Sequence, residues 1–498
     1  MNTMLTITEI IQKMGAGYMN NTAYDTSWIA RLHDIEEQMS LEALQWICEN
    51  QQPDGSWGAS RVMYYHDRVI STLAAMLALT RRGRRASDKW QIEKGLVALE
   101  KITAGATRGL AADPNGATVG FELIVPTLIH EAEELGIIKR QGDRILGRMK
   151  ALRERKLEKL KGIKISRHLT PAFSIEMVGT DRQELIDLEN LQEVNGSVAN
   201  SPSATAFFVS QVKVGDEQGL KYLHWALDGR GGGAPFATPF NVFERAWVLW
   251  NIALVPSLVN DPQIRDACQP HLQFLQDSWN PGQGVGFANV YTPCDGDDTS
   301  VLAESLARFD VFLDVETLLS YEGEEYFRCY HLEANPSIGA NVHMLGALRQ
   351  YGFDADHPSV KKIVQFLRNS RHKDGYLVDK WHISPYYITA HMVISAMNYD
   401  NGLCQDAVDW MLRTQNQNGS WGSFGFPAAE ETAYCIQSLI LWDRFGGKVP
   451  KQHIQMAVNW LEKHAGGPYP PLWISKALYC PELVVQSSIA VALALAKE

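Results

Sequence analysis

The sequence of 498 residues is short of positive charge, which limits the surfaces it can present. Lys and Arg number 46 against 57 Asp and Glu, so the formal net charge is −11 at pH 7. A nucleic-acid-binding surface needs a basic face, and this balance argues against that class of protein. A diphosphate can still bind such a chain, but only at a local group of cations or through bridging Mg²⁺.

Long apolar runs and closely spaced cysteine pairs are also missing. No stretch approaches the roughly 18 uninterrupted apolar residues that predict a membrane span. The N-terminus lacks the basic segment and apolar run of a secretory signal. The seven cysteines are odd in number and never spaced as CxxC, which is typical of reduced thiols. We therefore expect a cytoplasmic protein.

Strand-like alternation of apolar and polar residues is absent, whereas helical periodicity is common. Apolar residues recur at steps of three and four in segments 41–47, 70–77 and 407–411. Apolar residues make up 45% of the chain and charged residues 21%, so large cores can be buried. The sequence predicts an all-α fold.

A short glycine motif repeats along the chain. QPDGSWG at 52–58 returns as QNGSWG at 417–422, with weaker copies near residues 196, 286 and 375. Each copy joins two predicted helices, and the second helix tends to begin with a small or hydroxyl pair. Gly supplies the positive φ that ends one helix, and Asp, Ser or Thr caps the next. Such hairpins stack into solenoids or close into α-α barrels, and their spread predicts two barrel domains.

Three carboxylates lie within four residues at the start of a predicted helix: Asp295, Asp297 and Asp298. A single Asp here would be interpreted as a helix cap, a role that Asp298 could also fill. Three clustered carboxylates repel one another, so the pKa of at least one should rise and leave a protonated acid at neutral pH. An alkene is a very weak base, and protonating it requires such an acid in a dry site. The cluster therefore favours acid catalysis.

DGDDTS at 295–300, set among these repeats, resembles the DxDD motif of class II terpene cyclases, which are related to squalene-hopene cyclases. Further matching segments lie along the whole chain: AYDTSW at 23–28, DRVI at 67–70, VGFE at 119–122, SPSATA at 201–206, DKW at 379–381 and LWISKALY at 472–479. Together they are similar to bacterial class II diterpene cyclases, a group that includes halimadienyl (tuberculosinyl), kolavenyl and copalyl diphosphate synthases.

The resemblance implies a βγ architecture with the active site between two α-α barrels. Residues 1–40 would begin the β domain, 41–248 would form the inserted γ domain, and 249–498 would complete the β domain. The implied substrate is geranylgeranyl diphosphate with Mg²⁺, and the implied activity is that of an isomerase, an intramolecular lyase. Asp297, the middle Asp, would be the acid, positioned and tuned by Asp295 and Asp298. The product would keep its diphosphate, since no DDxxD motif is present, and would pass to a class I synthase or a phosphatase.

Two aromatic residues replace polar residues that the resemblance would lead one to expect. In plant copalyl diphosphate synthases a His and an Asn hold the water that removes the final proton. Phe173 and Phe236 occupy the matching positions here. Without that base, the bicyclic cation can undergo hydride and methyl shifts, which favours kolavenyl or halimadienyl diphosphate; copalyl diphosphate is the alternative. Candidate terminating bases are Tyr479, His391 and His343.

Binding residues follow from the resemblance and from residue type. Candidate cations for the diphosphate are Arg68, Lys161, Lys164 and Lys476. Candidate aromatic residues for the cation cavity are Trp279, Phe287, Trp381, Tyr386, Tyr387 and Tyr479. The segment before GFE, which is acidic in plant relatives, carries only Asp113 here, so Glu122 is the candidate Mg²⁺ ligand.

Three other functions are compatible with helical barrels. A glycoside hydrolase would need a second acid, which Glu430 or Glu431 could supply. A protein prenyltransferase β-subunit would need a zinc site, and no credible one is visible. A non-catalytic scaffold would leave the Asp cluster and the 14 Trp unexplained.

Overall fold

The computed structural model describes residues 4–83, 85–104, 116–139, 145–180, 182–331 and 333–498, so Asp113 lies outside the described residues. The main elements are α1 (Ile7–Lys13), α2 (Ala23–Ile29), α3 (Glu37–Glu49), α4 (Tyr65–Arg82), α5 (Ala86–Ala104), α6 (Phe121–Glu134), α7 (Lys150–Lys159), a 3-10 segment (Thr170–Val178), α8 (Pro202–Phe207), α9 (Glu217–Leu227), α10 (Asn241–Ile252), α11 (Pro256–Asn260), α12 (Pro262–Ser278), α13 (Gly296–Ala307), α14 (Val315–Leu319), α15 (Ile338–Gln350), α16 (Pro358–Ser370), α17 (Pro385–Ala396), α18 (Asn401–Thr414), α19 (Ala429–Phe445), α20 (Lys451–His464), β1 (Trp473–Ile474), β2 (Leu478–Tyr479) and α21 (Glu482–Leu495).

The C-terminal half is a closed α-α barrel. Its inner ring runs α10, α13, α15, α17, α19 and α21, and α21 packs back against α10. The outer helices α12, α14, α16, α18 and α20 each pack on a ring helix, and α1 from the other end of the chain packs against α12 and α21. The N-terminal helix thus completes the C-terminal barrel.

The N-terminal half forms a second, smaller ring. Here α2, α4, α6, the 170–178 segment and α8 pack in sequence, and α8 returns to α2. Helices α3, α5, α7 and α9 pack outside them. The two-barrel prediction is therefore confirmed.

The predicted domain boundaries at residues 40 and 248 differ from these helix contacts. Helix α2 already belongs to the N-terminal ring, and α10 already belongs to the C-terminal ring. The chain therefore crosses between the barrels near residues 20 and 240. Helix packing sets these crossings, and the repeat motif carries no signal for them.

A two-residue antiparallel strand pair, β1 and β2, departs from the all-α prediction. The pair closes a hairpin whose Ile474 N–H donates to the Trp381 carbonyl at 2.8 Å. This hairpin carries residues of the LWISKALY segment to the junction of the barrels. No helix in the described ranges is both long and apolar enough to cross a bilayer.

The glycine turns share one hydrogen-bond pattern, as the repeat predicts. Gln51 Nε2 donates to the Gly55 carbonyl at 2.8 Å and to the Gln91 carbonyl of the neighbouring helix at 2.9 Å. Gln415 makes the same pair of bonds to the carbonyls of Gly419 and His453. The side chain therefore ties each turn to the next helix of the barrel.

A threonine in each following helix completes the pattern. Thr432 Oγ1 accepts from the Trp421 backbone N–H at 3.0 Å, and the Trp421 indole donates to the Met411 carbonyl. At four other turns a threonine Oγ1 likewise accepts from a backbone N–H: Thr72 from Trp57, Thr205 from Val198, Thr299 from Val285, and Thr389 from Leu377. Trp57 and Trp421 are fully buried in these turns and have a structural role.

Two glycines in the connection between α18 and α19 allow the effect of backbone strain on stability to be separated from the effect of packing. Gly419 has φ +91°, and a Cβ there would lie 2.5 Å from the Met456 backbone; Gly425 has φ +79° with no atom within 4 Å. We expect Gly425→Ala to lower the free energy of unfolding by about 1–2 kcal/mol through its left-handed φ alone. Gly419→Ala should cost roughly a further 1–3 kcal/mol because of the overlap. Urea unfolding measures both, and equal losses would contradict the packing argument.

Candidate active site

A cavity of about 280 Å³ lies between the two barrels, and residues of both barrels line it. Much of its wall is aromatic. Its aromatic lining residues are Phe173, Phe236, Phe240, Phe243, Trp247, Phe287, Tyr291, Tyr330, Trp381, Tyr387, Trp473 and Tyr479. The carboxylates Asp295, Asp297 and Asp298 also line the cavity.

The structure corrects two of the predicted cavity aromatics. Trp279 ends outer helix α12 and donates its indole N–H to Asp314 at 2.6 Å. Tyr386 stacks on Trp410, with ring centroids 4.6 Å apart. Tyr386 and Tyr387 are neighbours on one helix and so point in different directions, and only Tyr387 lines the cavity. Phe173, Phe236, Phe287, Trp381 and Tyr479 line the cavity as predicted.

The N-cap of helix α13 is Asp295, where the sequence had suggested Asp298. Asp295 Oδ1 accepts from the backbone N–H groups of Asp297 at 3.0 Å and Asp298 at 2.8 Å. The Asp295 N–H in turn donates to the Val285 carbonyl at 2.9 Å. The N-cap and the glycine turn together fix the position of the three carboxylates.

Asp295 and Asp298 are buried side by side, and both have raised pKa values. Burial raises the pKa of Asp295 to about 6. Burial and then the negative charge of Asp295 raise the pKa of Asp298 well above its usual value. Clustering alone predicted such a rise, but loss of solvent is its larger cause.

Asp297 lines the cavity, and its carboxylate contacts His343, which does not line the cavity. Asp297 Oδ1 lies 2.5 Å from His343 Nδ1, and His343 Nε2 lies 2.9 Å from His391 Nδ1. Burial opposes protonation of His343, but the Asp297 charge outweighs it and raises the His343 pKa. Burial and the nearby His343 lower the pKa of His391 well below its usual value. Of the two imidazoles, His343 therefore holds a proton more readily than His391, and it lies next to Asp297.

This arrangement corrects the interpretation of His343 and His391 as terminating bases. Neither of them lines the cavity, and His343 is engaged by the proposed acid. The two histidines stand 48 residues apart, on α15 and α17, which follow one another around the ring. That spacing is the signal in the sequence that they could meet.

The four cations predicted to bind diphosphate lie outside the cavity lining. Arg68 is buried and donates to the carbonyls of Ala59 and Val62. Lys161 is 78% exposed and follows the end of α7, with Lys164 farther along the chain. Lys476 is fully buried in the wall of the N-terminal barrel, where it donates to Glu176, Ser201 and Ser203.

Three other lysines line the cavity: Lys156, Lys159 and Lys380. Lys156 and Lys159 belong to the same charged run as Lys161, but they lie on the face of α7 that meets the cavity. Lys380 Nζ donates to Glu333 Oε2 at 2.9 Å, and this partner offsets burial and raises the Lys380 pKa. The candidates Lys161 and Lys164 lie beyond the C-terminus of α7, whereas Lys156 and Lys159 lie within it.

Glu122 lines the cavity as predicted and is fully buried, with Lys156 as an ion-pair partner. Within the described part of the chain, no group of three His, Cys, Asp or Glu side chains could hold a metal ion. A single carboxylate beside lysines is compatible with Mg²⁺, which binds through one or two carboxylates together with substrate phosphates.

Comparisons with known proteins match both barrels. Residues 330–464 match the squalene-hopene cyclase C-terminal domain family. The chain is 45% identical to a type B diterpene cyclase of Mycobacterium tuberculosis over 99% of each sequence. It is 28% identical to a (+)-kolavenyl diphosphate synthase of Herpetosiphon aurantiacus, over 95% of this chain and 94% of that one. The solved structure of ent-copalyl diphosphate synthase from Streptomyces platensis aligns with a TM-score of 0.76 at 25% identity, covering 99% of this chain and 98% of that chain.

The raised pKa of Asp298 predicts a pH-dependent cost in stability. The pKa of Asp298 is higher in the folded state than in the unfolded state. At a pH between these two pKa values the folded state binds more protons, so the free energy of unfolding falls as pH rises through this range. Asp298→Asn removes this dependence. The variant should therefore gain Tm over wild type as pH rises, by about 2 °C or more at pH 8.

Thermal unfolding at pH 5 to 8 measures this effect, with Asp277→Asn on outer helix α12 as the control for loss of one charge. A constant Tm difference between Asp298→Asn and wild type across this range would contradict the assignment.

Proposed function

The chain belongs to the class II diterpene cyclases, and from this membership we propose that it converts geranylgeranyl diphosphate into a bicyclic diterpenyl diphosphate that keeps its diphosphate group. The reaction is an isomerisation, because the proton added at the start is balanced by the proton lost at the end. The observation that carries the proposal is the Asp297–His343 pair at the edge of an aromatic cavity.

Asp297 is the proposed acid. Its O–H bond breaks as a C–H bond forms at the terminal alkene, and successive alkenes then attack the resulting cation to close two rings. His343 Nδ1, 2.5 Å from Asp297 Oδ1, can donate a hydrogen bond to the carboxylate that remains and so stabilise it. Asp295 holds the backbone N–H of Asp297 and so fixes the direction in which the acid points.

Lys156, Lys159 and Lys380 are the proposed diphosphate ligands, since they are the lysines that line the cavity. Glu122, beside Lys156, is the proposed protein ligand for Mg²⁺. When bound, Mg²⁺ would neutralise part of the diphosphate charge. The reacting hydrocarbon then extends along the aromatic wall toward Asp297.

We propose a rearranged product, kolavenyl or halimadienyl diphosphate. Phe173 and Phe236 pack edge to face with centroids 6.2 Å apart, and Phe236 lies 4.2 Å from Tyr479. These rings stabilise cations and neither Phe can accept a proton, so the bicyclic cation persists long enough for hydride and methyl shifts. Copalyl diphosphate is the alternative. A class I synthase or a phosphatase in the cytoplasm would consume the product.

The hydrolase alternative has no support in the cavity. Glu430 is bonded to Trp473 and Tyr434, and Glu431 to Ser384 and Ser423. Neither carboxylate is among the lining residues.

Incubation with geranylgeranyl diphosphate and Mg²⁺, followed by dephosphorylation, mass spectrometry and NMR of the alcohol, tests the proposed function. We expect a bicyclic alcohol from wild type and a loss of at least about 10³-fold in rate for Asp297→Asn, because the amide cannot supply the proton. Asp277→Asn, remote from the cavity, should retain the wild-type rate. No cyclised product from wild type, or full activity in Asp297→Asn, would refute the proposal.

Phe173→His tests the control of product outcome. The Lys476 ammonium lies 4.6 Å from the Phe173 ring, so it should keep an imidazole placed there neutral and able to accept a proton. We expect a shift toward less rearranged, earlier-deprotonated product in NMR of the alcohols. Phe287→His places the same group elsewhere on the wall and serves as the control. An unchanged product in Phe173→His would show that this position does not decide termination.

A further inference from the structure

Glu430, a buried carboxylate, lies directly behind the aromatic wall of the cavity. It belongs to the first turn of α19, is fully buried, and does not itself line the cavity. One oxygen, Oε1, accepts from the Trp473 indole N–H at 2.8 Å and from the Tyr434 hydroxyl at 2.8 Å. His382 Nε2 approaches the same oxygen at 3.2 Å. Three donors therefore converge on a single oxygen atom.

The hydrogen bonds of His382 fix its charge. Its Nδ1 accepts from the Ser384 backbone N–H at 3.0 Å, so that nitrogen carries no proton. The Nε2 nitrogen must then carry the proton and donate it to Glu430, which makes the imidazole neutral. Among the described residues, no Lys or Arg lies within ion-pair distance of Glu430. Glu430 thus has three uncharged donors around Oε1 and no cationic partner, and its second oxygen, Oε2, is buried without a hydrogen-bond partner.

One layer of rings separates this carboxylate from the cavity. Trp473 lines the cavity and donates directly to Glu430. Tyr387 also lines the cavity and stacks on His382, with centroids 4.6 Å apart and planes 18° apart. A hydrogen bond from an indole N–H to an anion makes the indole face more negative, and a buried charge is weakly screened. Both effects favour a positive charge in the cavity.

We propose that Glu430 is a positioning residue that acts as the buried counter-charge for the carbocations, exerting its effect through Trp473 and through the His382–Tyr387 stack. The inference rests on the proposed function and extends it to the later cations. Asp297 starts the reaction, and Glu430 lengthens the lifetime of the bicyclic cation before its proton is lost. A long lifetime is what a rearranged product requires.

The test compares charged and neutral ligands of one shape. The probes are a trans-decalin diphosphate with a quaternary ammonium nitrogen in the ring and the same molecule with carbon in its place. The ratio of their inhibition constants isolates the response to charge, since the diphosphate and the shape are shared. Glu430→Gln should reduce the preference for the ammonium probe by about tenfold, with little change for the carbon probe.

Glu431→Gln is the matched control. Glu431 is the neighbouring buried carboxylate, but its partners are Ser384 and Ser423 and no cavity ring. Its variant should keep the wild-type ratio. Trp473→Phe keeps an aromatic wall but removes the indole N–H, so it should lower the ratio even if Glu430→Gln fails to fold.

Products from geranylgeranyl diphosphate provide a second measurement. Glu430→Gln should form a larger fraction of monocyclic or unrearranged alcohols than wild type and Glu431→Gln. If wild type cyclises the substrate while Glu430→Gln and Trp473→Phe keep its probe ratio and products, the counter-charge role is refuted. If wild type forms no cyclic product at all, the proposed function itself fails.

Discussion

The hydrogen bond between Thr299 Oγ1 and the Val285 N–H is the contact on which the site depends. A buried backbone N–H needs an acceptor, and the repeat supplies one from the first turn of the next ring helix. At four other turns the same contact closes the barrel walls. At this turn it also fixes the helix that carries Asp295, Asp297 and Asp298. The proposed catalytic motif is therefore one structural repeat with carboxylates added at its helix N-terminus.

Burial then gives the three carboxylates different chemistry. Loss of solvent raises the pKa of Asp295 to about 6 and that of Asp298 well above its usual value, whereas Asp297 contacts His343 and raises the pKa of that imidazole despite its burial. The lysines line another part of the same cavity, and Glu430 lies behind its aromatic wall. The Asp cluster, an aromatic wall with Glu430 behind it, and three lysines thus occupy different places along the cavity.

Much of this could be predicted from sequence because the signals are local. The glycine turns, the hydroxyls that follow them and the Asp cluster each lie within a few residues, and they predicted the barrels and the acid. Phe173 and Phe236 were placed at the cavity by their surrounding motifs. The candidates Lys161 and Lys164 lie outside the cavity lining, because a run of lysines does not show which helix face meets the cavity, or where the helix ends. Lys476 looked like a pocket cation, but Glu176, distant in sequence, binds it in the wall.

The sequence by itself determined the repeat, the all-helical character and the clustering of acids, since these follow from neighbouring residues and from helical period. Only the tertiary structure decided which groups share a site. Closing the ring brings His343 and His391 behind Asp297, and the crossings near residues 20 and 240 bring Phe173 to the Asp cavity. Hydrogen bonds from Trp473 and His382 hold Glu430 behind the cavity wall. Contacts of this kind join ring helices far apart in the chain, so their partners can be identified only once the barrels have closed.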